Sequence, residues 1–318
     1  MAERTREDVL DDLDRVDRID GAGSSGPDQP GEPDGSVGGP TPRPGRTRPP
    51  RPAGSGPVRW TLRLVAIGYV VVLVLLPLAV MLVRVFGDGL GAFVASVTAP
   101  EAVTSIILSV EVAVQSVVIN TVFGLAAALL ITRYRFWGRS ALNALIDVPV
   151  SVSPVIAGLA LILVYGQNGW FGGALAAVGV QVIYNAPGIV LATSFVTLPL
   201  VVRELVPVLE EIGLEQDQAG RALGANAWQR LWRLTLPSVR WALAYGVVLS
   251  LARALGEYGA VRVVAGNILG YTQTMPLLAA QRYTDLDENG AFAISFVMVA
   301  IAVLSIVVVA ILRPKEES

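Results

Sequence analysis

Residues 207–237 read PVLEEIGLEQDQAGRALGANAWQRLWRLTLP, a charged, helix-prone island inside a sequence that is otherwise mostly apolar. Residues 214–223 favour helix, Gly224 can take φ > 0 and stop it, and residues 226–235 restart it. The spacing therefore predicts two short helices meeting at a glycine elbow. On the second, Trp228, Leu231, Trp232 and Thr235 fall at i, i+3, i+4 and i+7, one large apolar face, while Gln229, Arg230 and Arg233 point elsewhere. Pro237 is expected to end the unit and open the next apolar segment. Such an element either lies in the headgroup layer of a membrane or presents a docking surface to a soluble partner.

Composition narrows the class. The chain has 318 residues, 53% of them hydrophobic, and a mean hydropathy of +0.59, which is the signature of an integral membrane protein. There is no Cys and no His, which removes disulfides, thiol chemistry, His-ligated metals and a histidine pH switch. Lysine occurs once, at Lys315, so no GxxxxGK[ST] phosphate loop exists in this chain. The formal charge of −2 averages an acidic tail with basic loops and says little.

Residues 1–57 differ from the rest: acidic first, then rich in Pro, Gly and Arg, the composition of a disordered tail. Val9, Leu13 and Val16 give it the stripe of one short conditional helix. Residues 58–318 form the membrane domain, with six segments long enough to cross about 30 Å of hydrocarbon, near 62–83, 105–131, 146–165, 187–208, 238–264 and 291–312. Asp147, Pro149 and Pro154 make the third the least regular, a kinked or late-starting helix. Arg59, Arg63, Arg133, Arg135, Arg139, Arg203, Arg221, Arg230, Arg233, Arg240, Arg313 and Lys315 gather on one side. Arg84, Arg262 and Arg282 fall on the other, so both termini and the island are expected in the cytoplasm of a multi-pass plasma (inner) membrane protein.

The island resembles the cytoplasmic EAA loop of ABC importer permeases. It reads Gln218-Ala219-Gly220, three residues, Gly224, nine residues, Leu234, Thr235, then Leu236-Pro237. The spacing is complete, while Gln replaces Glu and Gly replaces Ala in the first and third letters. The resemblance implies a coupling helix that docks on a separate ATPase, carried by Gln218, Ala219, Gly220, Arg221, Gly224, Leu234, Leu236 and Pro237. With the first carboxylate gone, contact is expected to rest on shape and on Arg221. Further stretches, including Pro187 to Thr193, Val202 to Pro207, Ala252 to Val261 and Thr272 to Leu277, are similar to sulfate/thiosulfate ABC permeases, closer to the second of their two permease types.

That likeness implies an all-α fold of the type I importer kind, with six transmembrane helices and the coupling helix between the fourth and fifth. It also implies a sister permease, a cytosolic ATPase that holds ATP and Mg, and an extracytoplasmic sulfate-binding protein. No cofactor, metal or nucleic acid is expected in this chain, and the chain itself is not an enzyme. Molybdate or tungstate is the alternative substrate within the class. A rival from another class is a stand-alone secondary transporter using Glu111, Asp147 and Glu257 as ion relays; it requires inverted repeats and broken helices, and the sequence displays neither.

Arg253 and Glu257 lie at i, i+4 within the fifth segment, where a charge costs about 2.5 to 3.5 kcal/mol at the bilayer centre, so this face should avoid lipid. Two readings stand: a buried ion pair, or a positive charge along the path of a divalent anion. Gly256 and Gly259 allow a bend or close packing beside them, as a gate would need. Glu111, Gln115 and Asn120 give the second segment a polar side suited to interhelical hydrogen bonds or to pore lining. Asp147 is placed to cap the third segment, and Arg203 and Glu204 to snorkel at the inner end of the fourth.

Overall fold

The computed structural model describes residues 56–312. The tail with its Val9, Leu13 and Val16 stripe, and Arg313 and Lys315, lie outside the described residues. Among the described residues the chain is helical. Helix α1 runs from Gly56–Val70 through a π-helical turn, Val71–Leu75, into Leu76–Gly87. Then come α2 (Gly89–Thr98), α3 (Pro100–Arg133), α4 (Arg139–Ser151), α5 (Pro154–Tyr165), α6 (Gly172–Ala177) and α7 (Ala186–Ile212). The remainder is α8 (Glu215–Ala222), α9 (Ala227–Leu255), α10 (Gly259–Ala265), α11 (Met275–Thr284) and α12 (Glu288–Leu312).

Side-chain registers give the direction of each crossing. Ser116 of α3 donates to the Val190 carbonyl of α7 (3.2 Å), Asn120 donates to Thr197 Oγ1 (2.7 Å), and Gly124 sits against Val201. The partners advance together, so α3 and α7 run parallel. The chain between them must therefore return across the membrane, and α4 with α5 makes that return. Helix α9 runs the opposite way to α7, since Thr235 and Val239 line one small cavity with Leu209 and Ile212 while a Cβ on Gly246 would lie 3.3 Å from Val201 Cα. Helix α12 starts beside the start of α3, where buried Arg282 of α11 donates to Glu101 (3.1 Å), the Ser96 carbonyl (3.1 Å) and the Gly290 carbonyl (3.4 Å). Phe86 at the end of α1 meets Phe93 and Phe296 with ring centroids 5.4 and 5.6 Å apart. Counting the bent pair α4–α5 as one, six crossings result among the described residues, which end at the end of the bundle where α7 leads into α8.

Two expected spans are broken. The third is α4 and α5, bent by 114°, because Pro149 lies inside α4 and Pro154 opens α5 at a residue pair that cannot continue the hydrogen-bond ladder. The fifth ends at Leu255 rather than near residue 264: Gly256 caps it, and α10 is a separate short helix closed by Gly266 at φ +69°. The prolines of the third segment pointed to such an irregularity, whereas the break in the fifth falls where hydropathy suggested a continuous helix. Asp147 does not cap its helix; its Oδ1 accepts from Arg203 Nε (3.1 Å) and Nη2 (2.8 Å) on α7. Arg203 is correspondingly paired rather than simply snorkelling. Asn120 makes the interhelical bond expected of it, whereas Gln115 donates to Glu111 on its own helix (2.9 Å).

The bent pair closes against α10 through a glycine. A Cβ on Gly158 would lie 2.9 Å from the Ala260 carbonyl oxygen and 3.0 Å from Val263 Cβ, both hard to displace. Gly158→Val is therefore expected to destabilise the bundle by about 1 to 3 kcal/mol, read as a lower melting temperature in detergent. Gly68→Val, where a Cβ meets nothing within 4 Å, is the control and should melt as the parent does.

Candidate functional site

The island is an elbow bracketed by two glycines with positive φ, Gly213 at +69° and Gly224 at +82°. Gly213 turns the chain out of α7 into α8. At the far end of α8 the Ala225 N–H donates to the Gly220 carbonyl and the Gly224 N–H to the Arg221 carbonyl, each at 3.0 Å, which is the Schellman closure that places a left-handed residue at position 224. The restart is equally local. Asn226 accepts from the Gln229 N–H (2.8 Å), and the Gln229 side chain accepts from the Asn226 N–H (3.0 Å), a reciprocal capping box.

One expectation about the second helix fails. Residues 226–235 do not form a separate unit ended by Pro237; they are the first turns of α9, joined to it by a π-helical turn, Leu231–Thr235. Wider turns rotate the following residues away from the 3.6-residue register. Thr235 is consequently buried, while Trp228 and Trp232 are exposed and meet edge to face at 5.4 Å. The apolar stripe is split in two, and Pro237 fits because it stands in the first turn after the π segment.

Of the residues expected to couple, Gln218, Ala219, Arg221 and Gly224 are exposed, as is the adjacent Leu223 at 88%. Gly220 faces inward, where a Cβ would lie 3.0 Å from Leu234 Cδ1, so the glycine admits Leu234 against α8. Leu234 and Leu236 are half-buried and Pro237 is exposed. The set thus divides into an outward surface on α8 and an inward wedge at the root of α9.

Asp217 holds the two together, and the linear sequence did not single it out. Its buried carboxylate contacts Arg230 Nε (2.9 Å), Arg221 (3.0 Å) and Arg133 Nη1 (3.1 Å). Arg133 also donates to Thr235 Oγ1 (2.6 Å), and Arg230 donates to the Ala225 carbonyl (2.9 Å). Burial opposes ionisation of Asp217, but the Arg230 hydrogen bond and the charges of Arg133, Arg230 and Arg221 outweigh it and hold the carboxyl below its usual value. The i, i+4 pair with Arg221 was readable; the pairs with Arg133 and Arg230 join residues 84 and 13 positions apart.

Arg253, Gly256, Glu257 and Gly259 lie at the other end of α9, roughly 40 Å from the elbow at 1.5 Å per residue. They gather at the break after Leu255. Glu257 is not inside a helix as its spacing suggested: its Oε1 accepts from the Ala260 N–H (3.0 Å) and caps the next one. Arg253 Nη1 stands 2.7 Å from Glu257 Oε2, close as charges but not aligned as a hydrogen bond. The Glu257 side chain is 1% exposed and that of Arg253 41%. Gly256 is exposed and roomy, so it serves the bend; Gly259 packs tightly, a Cβ there lying 3.0 Å from Pro154 Cβ.

Residues 120–317 match the family model described as binding-protein-dependent transport system inner membrane component. The chain is 43% identical over 258 residues to the sulfate transport system permease protein CysW of Synechocystis sp., covering 81% of this chain and 94% of the relative. It is 41% identical over 265 residues to the CysW protein of Escherichia coli K12, covering 82% and 91%. Its fold is similar to that of a chain in a bacterial alginate ABC transporter crystallised with an alginate pentasaccharide-bound periplasmic protein, with a TM-score of 0.68, 14% identity, and coverage of 79% and 92%.

Proposed function

This chain belongs to the binding-protein-dependent transport system inner membrane components, at the sulfate-transport permeases among them, and we propose that it carries sulfate inward when a separate ATPase moves its elbow. It is a multi-pass membrane subunit and not itself the ATPase, consistent with its lack of a phosphate-loop lysine. Sulfate is favoured over molybdate and tungstate, because the relatives described above are sulfate permeases.

The observation that carries the coupling reading is the elbow: an exposed face of Gln218, Ala219, Arg221 and Leu223 on α8, closed by Gly224 and rooted in α9 without a break. A partner seated there moves a rod of 29 residues. The elbow end, with its arginines, faces the cytoplasm; ATP and Mg sit on the partner, a sister permease completes the pathway, and an external sulfate-binding protein delivers the anion. Closure of the ATPase displaces the elbow as a rigid body, and the break at Gly256–Tyr258 lets the outer segments α10 and α11 respond separately. Arg253, half-exposed at that break, supplies positive potential to a divalent anion.

Reconstituting the complete transporter in liposomes and measuring labelled sulfate uptake tests the assignment. ATP-dependent uptake that requires the external binding protein, and resists competition by molybdate, is the expected result. Substrate-driven flux by this chain alone, with no ATPase present, would overturn it in favour of a secondary transporter.

A further inference from the structure

We propose that Asp217 and Arg133 form a latch that makes α3, and not α9 alone, a direct recipient of the elbow's motion; this rests on the coupling reading above. Covalent continuity already ties the elbow to α9 and, through Gly213, to α7. Helix α3 has no such tie, since it ends at Arg133, far upstream in the chain. The structure supplies a side-chain substitute there. Arg133 spans the junction, giving one guanidinium nitrogen to Asp217 on α8 and the other to Thr235 at the root of α9.

Three observations make this a mechanical joint rather than a surface pair. Asp217 and Arg133 side chains are 6% and 16% exposed, so water does not compete strongly for the contact. Asp217 has Arg230 and Arg221 as further partners, which hold its carboxylate independently of Arg133. Just inside the joint, Ala128 and Ile131 of α3 pack with Val201 and Leu205 of α7 and Val239 of α9 in one buried cluster. A push on α8 therefore reaches a buried apolar block contributed by three helices, and such blocks shift as units rather than deform. Asp217 and Arg133 are positioning residues in this scheme: they touch neither ATP nor anion.

Arg133→Gln is the decisive variant, because it cuts the arm to α3 while Asp217 keeps two arginines. In the complete transporter, sulfate transported per ATP hydrolysed should fall at least about tenfold, the scale of one lost hydrogen bond to a charged group, with subunits still co-purifying and ATP still hydrolysed. Arg139→Gln, which breaks an exposed pair with Glu210 at the same end, should stay within about twofold. Arg133→Lys keeps a cation for Asp217 at the end of α3 and should recover most of the transport ratio. A ratio unchanged in Arg133→Gln overturns the latch, and so does an Arg133→Lys ratio no better than that of Arg133→Gln. If Arg133→Gln prevents assembly, Asp217→Asn, which weakens the same contact from α8 and keeps its shape, decides: a lowered ratio supports the latch and a parental ratio overturns it. A Gly224 variant that uncouples while Arg133→Gln does not leaves the coupling reading standing and removes only the latch.

Discussion

Gly224→Val is expected to leave the subunit inserted and assembled while ATP-dependent sulfate uptake falls at least about tenfold, the equivalent of about 1.4 kcal/mol. The cause is backbone rather than crowding. A Cβ at position 224 meets nothing within 4 Å, so no neighbour has to move, but φ is +82°. A β-branched residue held there carries strain of about 1 to 3 kcal/mol. The chain relieves it by leaving the left-handed region, which opens the Ala225–Gly220 and Gly224–Arg221 hydrogen bonds and turns α8 away from its present angle to α9. Because the elbow lies outside the buried clusters of the bundle, the membrane part has no reason to unfold. A graded series sharpens the test: Asn tolerates the left-handed region better than Ala, and Ala better than Val, so uptake should fall in that order. Wild-type uptake in Gly224→Val sinks the elbow as the coupling element; loss of the subunit from the membrane assigns Gly224 to folding instead.

The same residue explains what could be read from the sequence and what could not. Gly224, the Asn226–Gln229 box and the proline at the start of α5 act within four residues of themselves, so their chemistry is visible in a linear string. Hydropathy located the spans because it averages over about 20 residues, and for that reason it passed smoothly over Ala254 to Val264 and missed the break. The break depends on Glu257 finding the Ala260 N–H and on Pro154 arriving beside Gly259, one too subtle for an average and the other a contact across the fold. The apolar stripe of 228–235 failed because a 3.6-residue template cannot represent a turn in which the Leu236 N–H reaches back to the Leu231 carbonyl. Asp217 looked like one acid among several in an acidic helix. Its role comes from Arg133, and no local pattern brings that residue near.

Arg253→Gln is expected to lower sulfate uptake by an order of magnitude in an assembled complex, while Glu257→Gln costs less. Geometry sets this asymmetry. The Arg253 side chain is 41% exposed and Glu257 1%, so the pair presents its positive end to the open side and turns its negative end inward, where the Ala260 N–H holds it. For a divalent anion roughly 6 Å from this water-exposed guanidinium, at a dielectric of about 80, the attraction is about 1.4 kcal/mol, so its loss is worth about tenfold; a carboxylate roughly 3 Å farther away repels by about 0.9 kcal/mol. Replacing Arg253 removes the attraction and leaves the repulsion, whereas replacing Glu257 with Gln removes only the repulsion and keeps an acceptor for the Ala260 N–H. A purely structural pair behaves differently: breaking it from either side strands a charge beside the bend, at a cost of up to about 3 to 5 kcal/mol when buried, so both variants lose assembled complex together. Uptake by Arg253→Gln equal to the parent excludes an electrostatic role for that arginine in the pathway. Matched losses of assembly in the two variants assign the pair to the bend, leaving Gly256 and Tyr258 as the hinge it braces.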